Sequence, residues 1–180
     1  MNSDLLKQAK KGDLSAFEEI LLVFEKAIFN YNFKLLGQKQ DAEDATQQTF
    51  IKLYKSLSGI DEEKKLSPWL YAVATNTAYD ILRKRKYKVE VELNEEISEN
   101  TETETADDPY YEVERQFDTQ TIQGHLANLK PIQRSIILLH YYKQFSLEEI
   151  SDLLKMPIGS VKTHLHRGRK ELKKIISPDL

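Results

Sequence analysis

The 180-residue sequence contains no cysteine, which excludes disulfide scaffolds and thiolate metal sites. That absence agrees with a reducing cytoplasm, the compartment we expect. No apolar run approaches the ~20 residues of a membrane helix. The longest candidate, Ser135 to Tyr142, has only the length of a core segment, so no direct membrane insertion is expected. The opening Met1-Asn2-Ser3-Asp4 lacks the basic and apolar regions of a secretory leader. Gly-rich phosphate loops and nucleophile triads are also missing. His164 and His166 stand two apart, so on a helix they point about 200° apart and cannot share a metal. Asp41 and Asp44 read as N-terminal helix charges rather than a catalytic carboxylate pair. We therefore expect no catalytic activity, no cofactor and no metal.

What is present suits packed helical domains. Forty per cent of the residues are hydrophobic, 31% are charged, and mean hydropathy is −0.56. This length fits one or two small cores. The net charge of −3 hides a division along the chain. Residues 1–89 carry 15 basic and 12 acidic side chains, a balance of +3. Residues 90–118 carry one basic side chain, Arg115, against 12 acidic ones, a balance of −11. Residues 119–180 carry 10 basic and 5 acidic, a balance of +5. Two basic modules joined by an acidic connector is a charge asymmetry that points to nucleic acid.

Apolar residues recur at helical spacing in both modules, with no strand pattern, so the fold class is all-α. Leu14, Phe17, Ile20, Leu21, Phe24, Ala27, Ile28, Tyr31 and Leu35 mark one face of a long helix, with Ser15 and Glu18 as its capping box. Asp41 is read as capping a second helix whose core side is Ala45, Phe50, Leu53, Tyr54 and Leu57. Ser58-Gly59 ends it. Ser67-Pro68 starts a third helix, expected to run to about Lys86 with Leu70, Val73, Ala74, Thr77, Ile81 and Leu82 inward. Residues 95–105 hold one apolar side chain, too few to offset their ordering entropy, so 90–118 is read as a flexible linker. Ile122, Leu126 and Leu129, then Ile132, Ile136, Ile137, Leu139 and His140, pattern two further helices.

The last two helices carry the plainest signal. Ser146-Leu147-Glu148-Glu149 is a capping box opening a short helix with Ile150, Leu153 and Leu154 inward. Lys155-Met156-Pro157 breaks it, and a longer helix follows with Val161, Leu165, Gly168, Leu172 and Ile175 on one face. Short helix, tight turn, longer helix is the helix-turn-helix pattern. The opposite face presents Lys162, Thr163, His166, Arg167 and Lys170, donors of the kind that reach base edges in a major groove. Ser160 sits at the helix start, where free N–H groups suit a phosphate. Basic faces are common on surface helices, but the capped helix and three-residue turn favour a recognition helix.

These stretches resemble region 4 of extracytoplasmic-function (ECF) RNA polymerase sigma factors. The matching residues are Leu129-Lys130-Pro131 with Arg134, Ser146 to Ile150, and Ile158 to Arg169. The resemblance implies that Ser160, Lys162, Thr163, His164, His166 and Arg167 contact the −35 promoter element. His164 stands where the family often has arginine.

The helix after Pro68 has a second face of Trp69, Ala72, Asn76, Tyr79 and Arg83, followed by Lys84, Arg85, Lys86 and Lys88. Aromatics beside a basic cluster suit single-stranded or melted DNA, since bases stack on rings while cations hold the backbone. Asp41 to Asp44, Gln47-Gln48, Phe50 to Tyr54 and Trp69 to Asn76 resemble region 2 of the same family. The resemblance implies that Asp44, Gln47, Gln48 and Phe50 bind the β′ clamp helices of core RNA polymerase. It implies that Asn76 lines a pocket for a flipped-out base of the −10 element, with Lys52, Ile60 and Trp69 beside it, and that Arg83, Lys84 and Arg85 grip the duplex backbone. Gln48 stands where an acidic residue is usual, and Pro68 where threonine is common.

The paired modules imply a sigma factor with region 2 at 1–89, region 4 at 119–180 and an acidic linker at 90–118. The implied partners are core RNA polymerase (clamp and β flap), promoter DNA and a membrane-anchored anti-sigma factor responding to external stress. In related proteins the connector threads a channel later used by RNA, and a charge of −11 suits a mimic of the RNA backbone. A linker lying over the basic faces is the rival use. Two other classes stay open at this point. A stand-alone repressor or activator would explain 119–180 but gives no reason for the Trp69–Asn76–Arg83 face. A protein-binding adaptor gives no reason for Lys162, Thr163 and Arg167.

Overall fold

Helix ends, more than helix interiors, decide how the N-terminal stripes fold together. A computed structural model describes residues 3–61, 63–95 and 123–176, and no strand occurs among them. α1 (Ser3–Lys10) packs on α2 (Leu14–Leu36). Asp13, not Ser15, is the N-cap of α2, and its carboxylate accepts from the Ala16 N–H. It satisfies one of the four donors that a helix start leaves unpaired. Gly37 stops the helix at φ +78°, with its N–H donating to the Phe33 carbonyl. Side chains rarely adopt that left-handed φ, and glycine does so without strain. Ile20, Ile28, Tyr31 and Leu35 are fully buried, as the periodicity predicts. Leu14 is 61% exposed, because the first side chain of a helix leans back towards its N-terminus and off the packed face.

α3 (Lys39–Ser56) begins before Asp41, after Gln38, whose side chain makes no capping bond. The Asp41 carboxylate pairs with Arg85 instead. Ala45 and Leu53 are buried, whereas Tyr54 stays 55% exposed with its ring against the edge of Phe17. α4 (Leu66–Glu95) starts at Leu66, leaving Pro68 inside the first turn, where its missing N–H costs no helical bond. It runs past Lys86 to Glu95, so the first residues of the acidic connector, 90–95, are helical. The rest of the connector, 96–118, and Ile122 lie outside the described residues.

Polar groups hold the three long helices together at depth. Tyr31 Oη donates to Thr75 Oγ1 at 2.7 Å, and Asn32 Nδ2 to Thr46 Oγ1 at 3.0 Å. Thr46, Thr49 and Thr75 donate in turn to the carbonyls of Ala42, Ala45 and Tyr71, one turn back. Back-bonding satisfies a buried hydroxyl inside its own helix.

The second module begins with a helical turn at 123–127. α5 (Pro131–Ile137) then runs into a π-helical turn, Leu138–Tyr142, which apolar periodicity alone does not reveal. α6 (Leu147–Leu154) carries the expected capping box, with Ser146 and Glu149 bonding each other's backbone N–H groups. α7 (Ile158–Ile176) buries Val161, Leu165 and Gly168. A Cβ at Gly168 would lie 2.7 Å from Ile137 Cδ1, so this glycine lets α7 sit directly on α5. The modules also touch each other, α2 against α5 and α4 against α6.

Candidate nucleic-acid interface

Three surfaces emerge from these helices. On α7 the apolar stripe turns Lys162, Thr163, His166 and Arg167 out to solvent, while His164 and Ser160 are half-buried. Thr163 Oγ1 donates to the Gly159 carbonyl at 2.8 Å, which leaves its lone pairs and methyl for a ligand. Ser160 has its N–H bonded to the Pro157 carbonyl at 2.8 Å. The turn before α7 is fixed by Lys155, at φ +51°, and by Ser151 Oγ donating to the Met156 carbonyl. A lysine in the left-handed region is uncommon, and sequence patterning gives no sign of it.

On α4 the picture is mixed. Asn76, Arg83 and Lys84 are exposed, and Arg83 pairs with Asp80 at 2.8 Å. Lys52 reaches across from α3 to donate to Thr77 Oγ1 at 2.8 Å, placing its cation beside the turn that carries Asn76. Trp69 is half-buried and packs on the core cluster. Ile60 is buried, and its carbonyl accepts from Lys10 Nζ. Arg85 turns inward to Asp41, and burial lowers its pKa from the ordinary guanidinium value. Tyr79 bonds Ser135 of the second module, and burial pushes its phenol up to about 12.

On α3, Asp44, Gln47 and Gln48 are exposed on one face, and Ile51 extends it at 45% exposure. Phe50 is half-buried on the core. Ile51 is thus the apolar group this face offers; its i+3 and i+7 spacing from Gln48 and Asp44 was the available signal. Among the described residues no three His, Asp or Glu side chains converge as metal ligands would.

One cation stands apart. Lys143 Nζ lies 5.1 Å from the centre of the Tyr71 ring and 4.3 Å from that of Tyr142, whose ring also has Lys34 Nζ at 5.1 Å. Burial, and then repulsion from Lys34, lowers the Lys143 pKa to about 8, although both ring faces favour its ammonium. Above pH 8 the folded chain sheds this proton while the unfolded chain holds it. Stability is therefore expected to rise with pH from about 8 to about 9.5. Beyond that, the raised phenols of Tyr31, Tyr71 and Tyr79 reverse the slope, since the unfolded chain ionises them first. Lys143→Met should flatten the rise and stabilise the protein at pH 7 by about 1 kcal/mol, discounted for partial exposure. Thermal melts of both proteins at pH 7 and 9 check this; parallel curves would rule it out.

Comparison with known proteins gives the family of both modules. The family described as Sigma-70 region 2 matches residues 23–87, and Sigma-70, region 4, matches residues 120–172. The ECF RNA polymerase sigma factor SigW of Bacillus subtilis is 35% identical over 94% of this chain and 93% of its own. The chain belongs to the ECF sigma factors. Among solved structures, this sigma factor superposes on CnrH, bound to the cytosolic domain of CnrY, with a TM-score of 0.71. That match covers 99% of this chain and 98% of CnrH, at 19% identity, and speaks to the fold. The sigma factor RpoE of Bartonella quintana, in complex with the anti-sigma factor NepR, gives 0.70 at 25% identity, covering 91% and 98%. α1–α4 thus contain the region 2 match, and the region 4 match takes in α5, α6 and α7 as far as Leu172.

Proposed function

We propose that this sigma factor docks on core RNA polymerase through the Asp44–Gln47–Gln48–Ile51 face of α3. On this reading, residues 1–89 capture the −10 element with Asn76, Lys52 and Arg83, and residues 119–180 hold the −35 duplex on the Lys162–Arg167 face of α7. It acts in the cytoplasm and performs no chemistry of its own. The observation that carries the reading is the pair of donor-rich faces, both open to solvent, on modules matching regions 2 and 4. Neither a stand-alone repressor nor an adaptor needs both. The likeness to RpoE bound to NepR supports control by an anti-sigma factor.

Purified protein added to core polymerase should yield promoter-specific transcripts from a genomic library. No transcript from any promoter would remove the reading. Asn76→Ala should slow DNA melting about tenfold, the cost of roughly one lost base contact, while leaving duplex binding unchanged. Stopped-flow detection of strand opening, run beside a filter-binding assay, separates the two effects.

A further inference from the structure

α4 is longer than its packing requires. Among the described residues Leu82 is its last apolar side chain to pack on the core, yet the helix continues to Glu95. At about 100° per residue, Trp69, Asn76, Asp80, Arg83 and Tyr87 fall on one stripe about 60° wide. Arg85 stands on the opposite side, which is why it meets Asp41 of α3 instead. Trp69 is half-buried at one end of the stripe, and Tyr87 closes the other. At 69% exposure Tyr87 is the most exposed aromatic side chain among the described residues.

A single solvated tyrosine on a surface helix needs no function. Three features give this one a task. The stripe it ends carries Asn76 and Arg83, both open to solvent, and the exposed Lys84 flanks it. Arg83 gives one donor to Asp80, the acidic residue of the stripe, and keeps others of its five for a phosphate. A phenol also joins a flat apolar face to a hydroxyl donor, which suits a sugar and the phosphate beside it. Past Tyr87 the sequence turns acidic at Glu90 and Glu92, and carboxylates repel phosphates, so a DNA footprint on α4 ends here.

Helix geometry says which DNA lies beneath. Tyr87 stands ~16 Å beyond Asn76 along α4, at about 1.5 Å per residue. On a DNA strand that is about five nucleotides, at ~3.4 Å each. α4 leads through the connector towards the −35 reader, so those nucleotides lie upstream of the base at Asn76. We propose that Tyr87 is a further DNA-binding residue. Its hydroxyl donates to a backbone phosphate of the duplex about five base pairs upstream of the flipped-out base, and its ring packs on the adjoining sugar. This rests on the sigma reading above and carries it into the DNA between the two elements. The contact reads no sequence. It anchors the duplex at the edge of the melted segment, so its loss should slow opening and leave polymerase binding alone.

The test uses the full-length protein on core polymerase, with a promoter recovered from the genomic library. Tyr87→Phe removes the hydroxyl, and Tyr87→Ala removes the ring as well. Tyr87→Phe should slow open-complex formation about threefold and Tyr87→Ala about tenfold, with polymerase binding within about twofold of the wild type. A single methylphosphonate, which neutralises one phosphate, is then moved along each strand from about two to about eight base pairs upstream of the flipped-out base. The wild type should lose about threefold at one position near five base pairs. Tyr87→Phe should lose less than about 1.5-fold there, because both changes remove the same contact. Equal penalties in the two proteins would overturn the contact, as would Tyr87→Ala opening DNA within about twofold of the wild type. Coupling confined to the first three base pairs would overturn its placement. Wild-type protein silent on every promoter would remove the sigma reading and this contact with it, whereas active wild type beside indifferent variants counts against Tyr87 alone.

Discussion

Arg134→Met is expected to destabilise the protein by about 3–4 kcal/mol and to lower its melting temperature by roughly 10 °C. Arg134 is buried at 7% exposure, and among the described residues its guanidinium is held by carbonyl oxygens and by no carboxylate. Besides Leu35, it donates to Ala127 at 2.8 Å and Leu129 at 3.2 Å, which closes the turn ahead of α5. Burial, and then the nearby Arg85, lowers its pKa, yet a guanidinium remains charged at any ordinary pH. Methionine fills much of the volume but leaves three carbonyls without a donor. Removing the desolvation cost of the cation offsets part of the loss. Arg134→Lys should recover less than half, because one ammonium cannot reach carbonyls on two sides of a planar fork. Denaturant unfolding reads the total. A fluorophore pair across the modules reads the Leu35 share, since of the three Arg134 bonds only that one crosses between them. A change below about 1 kcal/mol would mean the guanidinium is replaceable by solvent.

Arg134 also marks where sequence reasoning stops. Its place in the family motif was legible, but its structural task was not, because carbonyl acceptors leave no trace in side-chain patterns. The same holds for Asp41. At the start of a helix an aspartate reads as a cap, and only the packing of α4 brings Arg85 within reach. Thr46, Thr49 and Thr75 fall outside an apolar stripe by residue type, yet back-bonding lets them stand in the core. Periodicity did locate Ile20, Ile28, Leu70, Val161 and Leu165, where burial depends only on which face a residue occupies. The capping box at Ser146 was readable for the same local reason. The end of α4 was not: charge composition marked Glu90 as connector, but glutamate and lysine are good helix formers and carry the helix on to Glu95.

Of the proposed site residues, those on α7 were the most legible, because an exposed basic face is simply the complement of its buried stripe. That makes them the place for the sharpest functional test. Lys162→Glu with Arg167→Glu is expected to lower −35-dependent initiation by ~10³-fold or more at physiological salt. Each lost cationic contact costs about 1–3 kcal/mol, and each new carboxylate adds repulsion from the phosphates. The slope of log affinity against log salt should fall by about 2, one unit per lost phosphate contact. Both side chains are exposed, so the fold should tolerate the change. Polymerase binding through α3 should be unaffected. Lys173→Glu, also exposed but outside the reading face, serves as the charge control and should change initiation less than about twofold. If the double variant also stays within twofold, α7 is not the reader. If the control falls as far as the double variant, the effect comes from net charge instead of from this face.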